Sequence, residues 1–321
     1  MCDLLDATDD AASEVGNLVD GGGRVVARPD ADRAASYELI AALATLGELP
    51  DAAHRRLCDL LGLPGLTLEE HTEVFVLQCH PYAAFHLSER GMLGGEAADR
   101  VAGFWRALGF VPPAEPDHIT ALLGLYARLG LAELDTSSSL RASSLARARQ
   151  ALLFEHVLSW VPVFLASVAE LGSEWAAAWA TLVRDALVLE AASRKEPTGL
   201  KTPLSLALRA APAAPDPEAG PRDLAAALCA PVCSGMVLTK GSLELGAAEV
   251  EIGMRAGERR FVLEGMLTQA PRETLAWLAR QGHRWAQLHR SWAPADSSAA
   301  SWWEERARAT AELLAKLASA A

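Results

Sequence analysis

Apolar side chains recur at steps of three and four residues along most of this chain, for example at Leu39, Ile40, Leu43 and Leu46. That spacing places them on one face of a helix. No alternation of strands and helices accompanies it, and no glycine-rich loop of the GxGxxG type occurs. Hydrophobic residues make up 51% of the chain and aromatic residues only 6%, which also favours helices over sheets. The sequence therefore predicts an all-α fold, with helices over residues 31–48, 51–62, 67–79, 95–108, 117–130, 138–170 and 173–193.

A proline-rich stretch interrupts this pattern. Residues 194–222 contain six prolines, and a long connection of this kind inside a compact protein is either functional or a linker. Helical periodicity then resumes and continues to about residue 320. We predict a loosely ordered lead-in over 1–29, an all-helical domain over 30–195, a linker over 196–221 and an additional C-terminal helical region, of unassigned role, over 222–321.

The charge and the cysteines narrow the classes of partner and compartment. A net charge of −12 argues against nucleic acid as a partner and suits a basic one. No window reaches the about 18 uninterrupted apolar residues that a membrane span needs, so none is expected. The acidic N-terminus does not have the pattern of a secretory signal. Five scattered cysteines fit a reducing cytoplasm better than a disulfide framework.

Local signals also set helix boundaries. Thr67-Leu-Glu-Glu70 has the spacing of a capping box, so a helix is expected to start at Thr67. Pro162 lies in a mostly apolar segment and is expected to kink the helix there or to mark a boundary. His156 and Trp160 are four residues apart, on one face of the helix, and we interpret them as a pair in the core.

Asp117-His118 follows a proline and opens an apolar helical pattern. We interpret Asp117 as the cap of a helix that begins at His118, because an aspartate there accepts the first free backbone N–H groups. A carboxylate beside an imidazole at the end of a helix can also bind guanidinium groups. No nucleophile with an evident base is visible in the sequence. The pair is also a poor metal-hydrolase signature, because no other histidine or carboxylate lies nearby in the sequence at the spacing of metal ligands.

A metal site is the competing interpretation. Cys79, His80 and His86 lie within eight residues of one another, whereas a zinc site needs four ligands, or three and a water. The alternative function is therefore an α-helical metalloenzyme or metal carrier that uses His80, His86 and His118. A third hypothesis is a non-catalytic helical adaptor whose second half, residues 222–320, makes the main contacts.

Four blocks, in this order and spacing, resemble the TorD/DmsD/NarJ family of cytoplasmic chaperones for molybdoenzymes. They are Glu70-His-Thr-Glu-Val-Phe75, Pro81-Tyr-Ala-Ala-Phe85, Glu115-Pro-Asp-His118 and the helix from His156 to Phe164. The resemblance covers about residues 30–195. The chain departs from the family pattern, which usually has Tyr, Leu, Ser and two Glu residues, at His71, Val74, Ala84, Leu122 and Gly124.

The resemblance implies a compact helical bundle of the TorD-like type that has no catalytic site and is not an enzyme, with no cofactor and no bound metal. It implies binding of the twin-arginine signal peptide, or another terminal segment, of a molybdopterin-dependent oxidoreductase. The chaperone would hold the apoenzyme until its cofactor is inserted and delay export until folding is complete. We also expect that homodimers of this fold type can form by exchange of helices. The peptide-binding residues that it nominates are Pro116, Asp117, His118, Glu70, Phe75 and Tyr82.

Overall fold

The computed structural model describes residues 29–193, 204–253, 257–294 and 297–321. Within these ranges the chain forms 16 α-helices and two π-helical segments, and its only β-type pairing is one isolated bridge. The predicted all-α fold is therefore confirmed. The predicted lead-in over 1–29 lies outside the described residues except for its last position, and so does part of the predicted linker.

The region up to Ala192 contains nine α-helices. They are α1 Asp30–Leu46, α2 Ala52–Leu61, α3 Leu68–His71, α4 Ala83–Leu87, α5 Glu96–Ala107, α6 Ile119–Asp135, α7 Ser139–Ala151, α8 Val161–Ala169 and α9 Glu174–Ala192. Two π-helical segments continue existing helices. Thr72–Gln78 follows α3, and Leu152–Val157 follows α7. A π-helical turn widens the backbone ring, and such turns are frequent at functional sites.

The described residues after the proline-rich stretch add seven α-helices. They are α10 Leu206–Arg209, α11 Pro221–Leu228, α12 Pro231–Ser234, α13 Lys240–Glu249, α14 Arg259–Gln269, α15 Pro271–Trp292 and α16 Ser298–Ala320. The last two helices pack against each other along their length. Gly282 makes this close approach feasible, because a Cβ there would lie 2.8 Å from the Cβ of Ala311.

Side-chain caps start several helices where the sequence indicates. The Thr67 hydroxyl accepts the backbone N–H of Glu70 at 3.1 Å, so the predicted start at Thr67 is confirmed. Ser173 caps α9 in the same way, accepting the N–H of Ala176 at 3.0 Å. Each cap satisfies a backbone donor that the first helical turn leaves without an intrahelical partner.

Pro162 lies in the first turn of α8, where its missing N–H breaks no helical hydrogen bond. Ser139–Val157 and Val161–Ala169 meet at an angle of 53°, so the predicted kink is confirmed. Among the described helices, none taken singly has the length and apolar character needed to cross a membrane. This bent pair passes the same test only when its two parts are combined.

A cluster of aromatic rings lies at the centre of the core. Trp175 and Trp179 stack with 5.6 Å between ring centroids, and Phe75 meets Trp179 edge-on at 5.5 Å. Phe164 completes the group from α8, 6.2 Å from Phe75. Burial of such large rings is a main source of folding free energy, and edge-on pairs add about 0.5–1.5 kcal/mol each. The cluster fixes the π-helical segment after α3 against α8 and α9.

The C-terminal helices pack on the same core. The indole N–H of Trp303 donates to the carbonyl oxygen of Ser159 at 2.8 Å, and both residues are buried. Within the predicted linker, Leu208 is buried, and Arg306 donates to the carbonyl oxygen of Pro212 at 2.9 Å. The predicted division into a helical domain over 30–195, a linker over 196–221 and a C-terminal helical region over 222–321 stays a prediction that proteolysis can test.

A buried ionic network, which no local sequence pattern indicates, joins α1, α6, α7 and α9. Arg149 is fully buried and pairs with Glu133 and, at 3.4 Å, with Glu190. The hydroxyl of Tyr126 donates to Glu190 at 2.6 Å. Arg33 reaches Glu133 from α1 at 2.5 Å. Buried charges require such pairing, so the network fixes the relative positions of four helices.

Candidate functional site

Two loops that lie far apart in the sequence are joined by backbone pairing. Tyr82 and His118 form an antiparallel bridge. The N–H of Ala83 donates to the carbonyl oxygen of Asp117 at 3.0 Å, and the N–H of Ile119 donates to that of Pro81 at 2.9 Å. The rings of Tyr82 and His118 meet edge-on, 4.8 Å apart. The structure thus brings the second and third blocks of the sequence resemblance into one surface.

The prediction that Asp117 caps the following helix was wrong. Helix α6 starts at Ile119, and its cap is His118, whose Nδ1 accepts the N–H of Thr120 at 3.3 Å. Asp117 instead caps α4, because its Oδ2 accepts the N–H of Ala84 at 2.9 Å. The bridge between Tyr82 and His118 explains why Asp117 caps α4 and not α6. It places the Asp117 side chain at the start of α4, where backbone donors need acceptors.

Asp117 is only 3% exposed. Burial raises the pKa of this carboxyl group, and the nearby charge of Glu115 acts in the same direction, while the hydrogen bond from Ala84 opposes them. One carboxylate oxygen is therefore already committed to holding α4 against the Asp117-His118 loop. This contact identifies Asp117 as a residue that positions the loop.

His118 offers a hydrogen-bond donor at the surface. Burial lowers its pKa to about 4, and His71 lowers it further, while Glu115 acts against both. The imidazole is therefore neutral at pH 7. Nδ1 accepts the N–H of Thr120 and lies 2.7 Å from the hydroxyl of the same residue; with Nδ1 as the acceptor, the single ring proton lies on Nε2. The half-buried ring can donate that proton to a carbonyl group of a ligand.

The remaining edge of this surface comes from the loop before His118. The indole N–H of Trp105 donates to the carbonyl oxygen of Pro116 at 3.3 Å, which anchors the loop to α5. Glu115 is exposed beside the ring of Tyr82. Burial, followed by side-chain hydrogen bonding with Glu115 and then by the charges of Glu115 and Asp117, raises the pKa of Tyr82 to about 12. The site prediction did not include Glu115, although it is the first residue of the third block.

Glu70 and Phe75 lie elsewhere. Phe75 is 3% exposed and belongs to the central aromatic cluster. Glu70 accepts a hydrogen bond from the hydroxyl of Ser173 and lines a separate cleft. The structure therefore groups Tyr82, Pro116, Asp117 and His118, and it leaves Glu70 and Phe75 apart. Glu115 adjoins this group in the loop before Pro116. We use the name Tyr82–His118 surface for the four residues that are half-buried or exposed, which are Tyr82, Glu115, Pro116 and His118.

The histidines of the metal hypothesis have other partners. His86 is fully buried, its Nε2 lies 3.1 Å from the carbonyl oxygen of His80, and burial lowers its pKa to about 3. His80 packs edge-on against Phe85, with 4.9 Å between the rings. In the described parts of the chain, no three His, Cys, Asp or Glu side chains are grouped as metal ligands would be.

The predicted His156–Trp160 pair takes a different form. The indole N–H of Trp160 donates to the backbone carbonyl oxygen of His156 at 2.8 Å. The Trp160 ring stacks on His86 at 5.2 Å, whereas the His156 ring contacts Phe104 at 4.7 Å. The π-helical segment ends between the two residues, so they do not keep the four-residue spacing of a regular helix.

The described fold and this surface define a class: an all-α protein in which two loops, paired across a helical bundle, present a small polar and aromatic surface. Residues 51–166 match the family described as nitrate reductase delta subunit, so the resemblance to the TorD/DmsD/NarJ chaperone family is confirmed over that part of the chain. The family implies a general role in the maturation of molybdoenzymes. No curated protein and no solved structure matches the chain significantly.

Proposed function

We propose that this protein is a cytoplasmic, non-catalytic chaperone that binds a signal peptide or another terminal segment of a molybdopterin-dependent oxidoreductase. It would hold the apoenzyme for cofactor insertion and for assembly or export. The observation that carries the proposal is the bridge between Tyr82 and His118, which joins two blocks of the family-matched region into one accessible surface.

The chemistry of this surface suits a peptide. The Nε2–H of His118 can donate to a backbone carbonyl group, and the exposed carboxylate of Glu115 can pair with a guanidinium group. Pro116 and the ring of Tyr82 supply apolar contact beside these polar groups. Asp117 keeps the loop in place through its hydrogen bond to Ala84. Signal peptides combine basic and apolar residues, so both kinds of contact are needed.

The test is fluorescence anisotropy with labelled terminal peptides of the molybdopterin-dependent oxidoreductase subunits encoded in the source organism. We expect His118→Ala to weaken binding of the client peptide about tenfold, the value of one hydrogen bond together with its ring contact. The matched control is His283→Ala, because His283 is an exposed histidine of α15. Equal affinity of the two variants would remove the Tyr82–His118 surface from the proposal.

Glu115 provides a second, independent test. Glu115→Gln removes the exposed charge without changing the shape of the loop, and we expect a threefold to tenfold weaker affinity that is most evident at low salt. Glu38→Gln is the matched control, because Glu38 is an exposed carboxylate on α1. A homodimer formed by exchange of helices stays a prediction, which sedimentation velocity of the full chain can test.

A further inference from the structure

Helix α7 differs in charge from the other long helices of this chain. It contains three arginines and no carboxylate, whereas every other described helix of more than ten residues carries at least one Asp or Glu. Two of these arginines, Arg141 and Arg147, are exposed. Because the whole chain has a net charge of −12, α7 presents a basic face on an acidic protein.

The same face of α7 exposes an apolar side chain. Leu140 is 82% exposed and lies two helical turns before Arg147, on the same side of the helix. The opposite side is fixed to the core, because Arg149 pairs there with Glu133 and Glu190. Neither exposed arginine forms a side-chain ion pair within the described residues. We call Leu140, Arg141 and Arg147 the outer face of α7.

The start of α1 lies next to this helix. Helices α1 and α6 run antiparallel, since Arg33 pairs with Glu133 at 2.5 Å, while a Cβ on Gly47 would lie 2.8 Å from Cγ2 of Thr120. The first turn of α1 is therefore beside the end of α6, and only three residues separate α6 from α7. Residues 1–28 precede the described part of the chain, so they join it close to the start of α7.

The sequence of residues 1–20 complements the outer face in charge and in polarity. Leu4 and Leu5 lie between two aspartates, and no lysine or arginine occurs in these twenty residues. The six carboxylates of the segment are those of Asp3, Asp6, Asp9, Asp10, Glu14 and Asp20. An acidic segment with adjacent leucines can pair with two arginines and cover an exposed leucine at the same time.

The length of the connection allows this contact. Residues 21–29 can span at most about 30 Å, and α7, with 13 residues, is about 20 Å long. Residues 1–20 can therefore reach every position on the outer face. A tether of this length gives an effective concentration on the order of 1 mM, at which contacts too weak to join separate molecules are sufficient.

Helix α2 offers a comparison within the same chain. It also exposes two arginines, Arg55 and Arg56, and a leucine, Leu60, which is 79% exposed. It follows the other end of α1, however, and the 17 residues of α1 are about 25 Å long. It also carries a carboxylate, Asp59, beside its leucine. Position and charge therefore both favour α7 over α2 as the partner of an acidic segment attached to the start of α1.

We propose that residues 1–20 of this chain dock on the outer face of α7. Their carboxylates pair with Arg141 and Arg147, and their leucines cover Leu140. The outer face lies near the end of α6, whereas His118 lies at its start, about 25 Å away for a helix of 17 residues. The contact is thus separate from the Tyr82–His118 surface and does not depend on the proposed function.

The test uses a nitroxide spin label on Cys2 of the full chain, with the leucine methyl groups observed by NMR. The other four cysteines are buried, so labelling is directed to Cys2. We expect the spin label to broaden the methyl signals of Leu140 strongly and those of Leu60 little. The two leucines are almost equally exposed, so Leu60 is an internal control for random encounters.

Charge variants then test the pairing. R141Q/R147Q should lower the docking equilibrium constant about tenfold, since each exposed charge contact contributes about threefold. The Leu140 signals should recover accordingly. R55Q/R56Q changes the net charge by the same amount on α2 and should leave the broadening of Leu140 unchanged. From the other side of the contact, D3N/D6N should also restore the Leu140 signals, and E38Q/E305Q, which alters two exposed carboxylates elsewhere, should not.

Sharp Leu140 signals in the spin-labelled chain would overturn the proposal, and so would equal broadening of Leu140 and Leu60 or an unchanged Leu140 signal in R141Q/R147Q. A mixed sample identifies the remaining alternative. It contains spin-labelled protein without isotopes and isotope-labelled Cys2→Ser protein. Strong broadening of Leu140 in that sample would mean that the outer face binds a second copy of the chain, and docking within one chain would be refuted. Thermal unfolding of each variant verifies that the fold is retained.

Discussion

Asp117 gives the sharpest test of how the candidate surface is built. Its Oδ2 is the acceptor for the N–H of Ala84, which has no exposed surface. Asp117→Ala leaves that buried donor without an acceptor, and Asp117→Asn keeps an amide oxygen in its place. The two variants therefore separate the hydrogen bond from the negative charge.

The magnitudes follow from the contact. An unsatisfied buried N–H costs about 1–3 kcal/mol, and the loss of an N-cap typically costs about 1 kcal/mol. These two free energies describe the same interaction, so they are not added together. Removal of a buried charge offsets part of the loss, so we expect Asp117→Ala to lower the free energy of unfolding by about 1–2 kcal/mol. Asp117→Asn should change it by less than about 0.5 kcal/mol at pH 4.

The pH dependence has a definite sign. The pKa of Asp117 is raised in the folded protein, so the folded chain binds this proton more tightly than the unfolded chain. The stability that this group contributes is complete below its ordinary pKa of 3.8 and is lost as the pH rises through the raised folded-state value. Asn does not titrate. Asp117→Asn should therefore become more stable relative to the unmodified protein between pH 4 and pH 7.

The assay combines urea unfolding at both pH values with anisotropy of the client peptide. If Asp117 positions the loop, Asp117→Asn keeps its peptide affinity within about twofold and Asp117→Ala loses about tenfold. If Asp117 pairs directly with a guanidinium group, both variants lose affinity equally, because a charged hydrogen bond contributes about 1.5–3 kcal/mol. Equal losses in the two variants would refute the positioning role.

Three other predictions concern the fold. Arg149→Met should lower the free energy of unfolding by about 3 kcal/mol, measured by urea denaturation, because it removes the fully buried cation that pairs with the Glu133 and Glu190 carboxylates. A change below about 1 kcal/mol would contradict this. Burial lowers the pKa of His118 and His289 to about 4. The stability that these two side chains contribute is therefore complete above pH 6.5 and is lost as the pH falls through about 4. Urea midpoints that stay constant from pH 7 to pH 4.5 would argue against this prediction. A protease specific for glutamate should cut first after Glu218, in the exposed end of the predicted linker. Size-exclusion chromatography should then show that the two fragments are still associated. Resistance at that bond would mean that the proline-rich stretch is not a linker.

Periodicity and local chemistry were enough to predict most of the helices. The boundaries at Thr67 and Pro162 depend on hydrogen bonds within a few residues of each position, so the sequence contains all the information needed. Short helices such as α4, α10 and α12 were not predicted. Four or five residues are too few to show a helical period, and tertiary packing stabilises these helices.

The site was predictable only in part. The sequence placed Tyr82 and His118 in family-like blocks, and the structure joins them. It could not show that Asp117 caps α4, because that contact depends on two loops that meet across 33 positions. Nor could it show that Phe75 is buried among aromatic rings, since an apolar residue on a helix can face the core or a ligand.

The sequence by itself determined the all-α class, most helix boundaries and an acidic surface, because these follow from the spacing and the charge of neighbouring residues. The tertiary structure alone decided the partners of Asp117, the buried network around Arg149 and the cleft between residues 67–78 and the C-terminal helices. Each of these unites residues from distant segments. Such contacts form only when the helices pack, and a helical period specifies which face is buried but not which other helix will cover it.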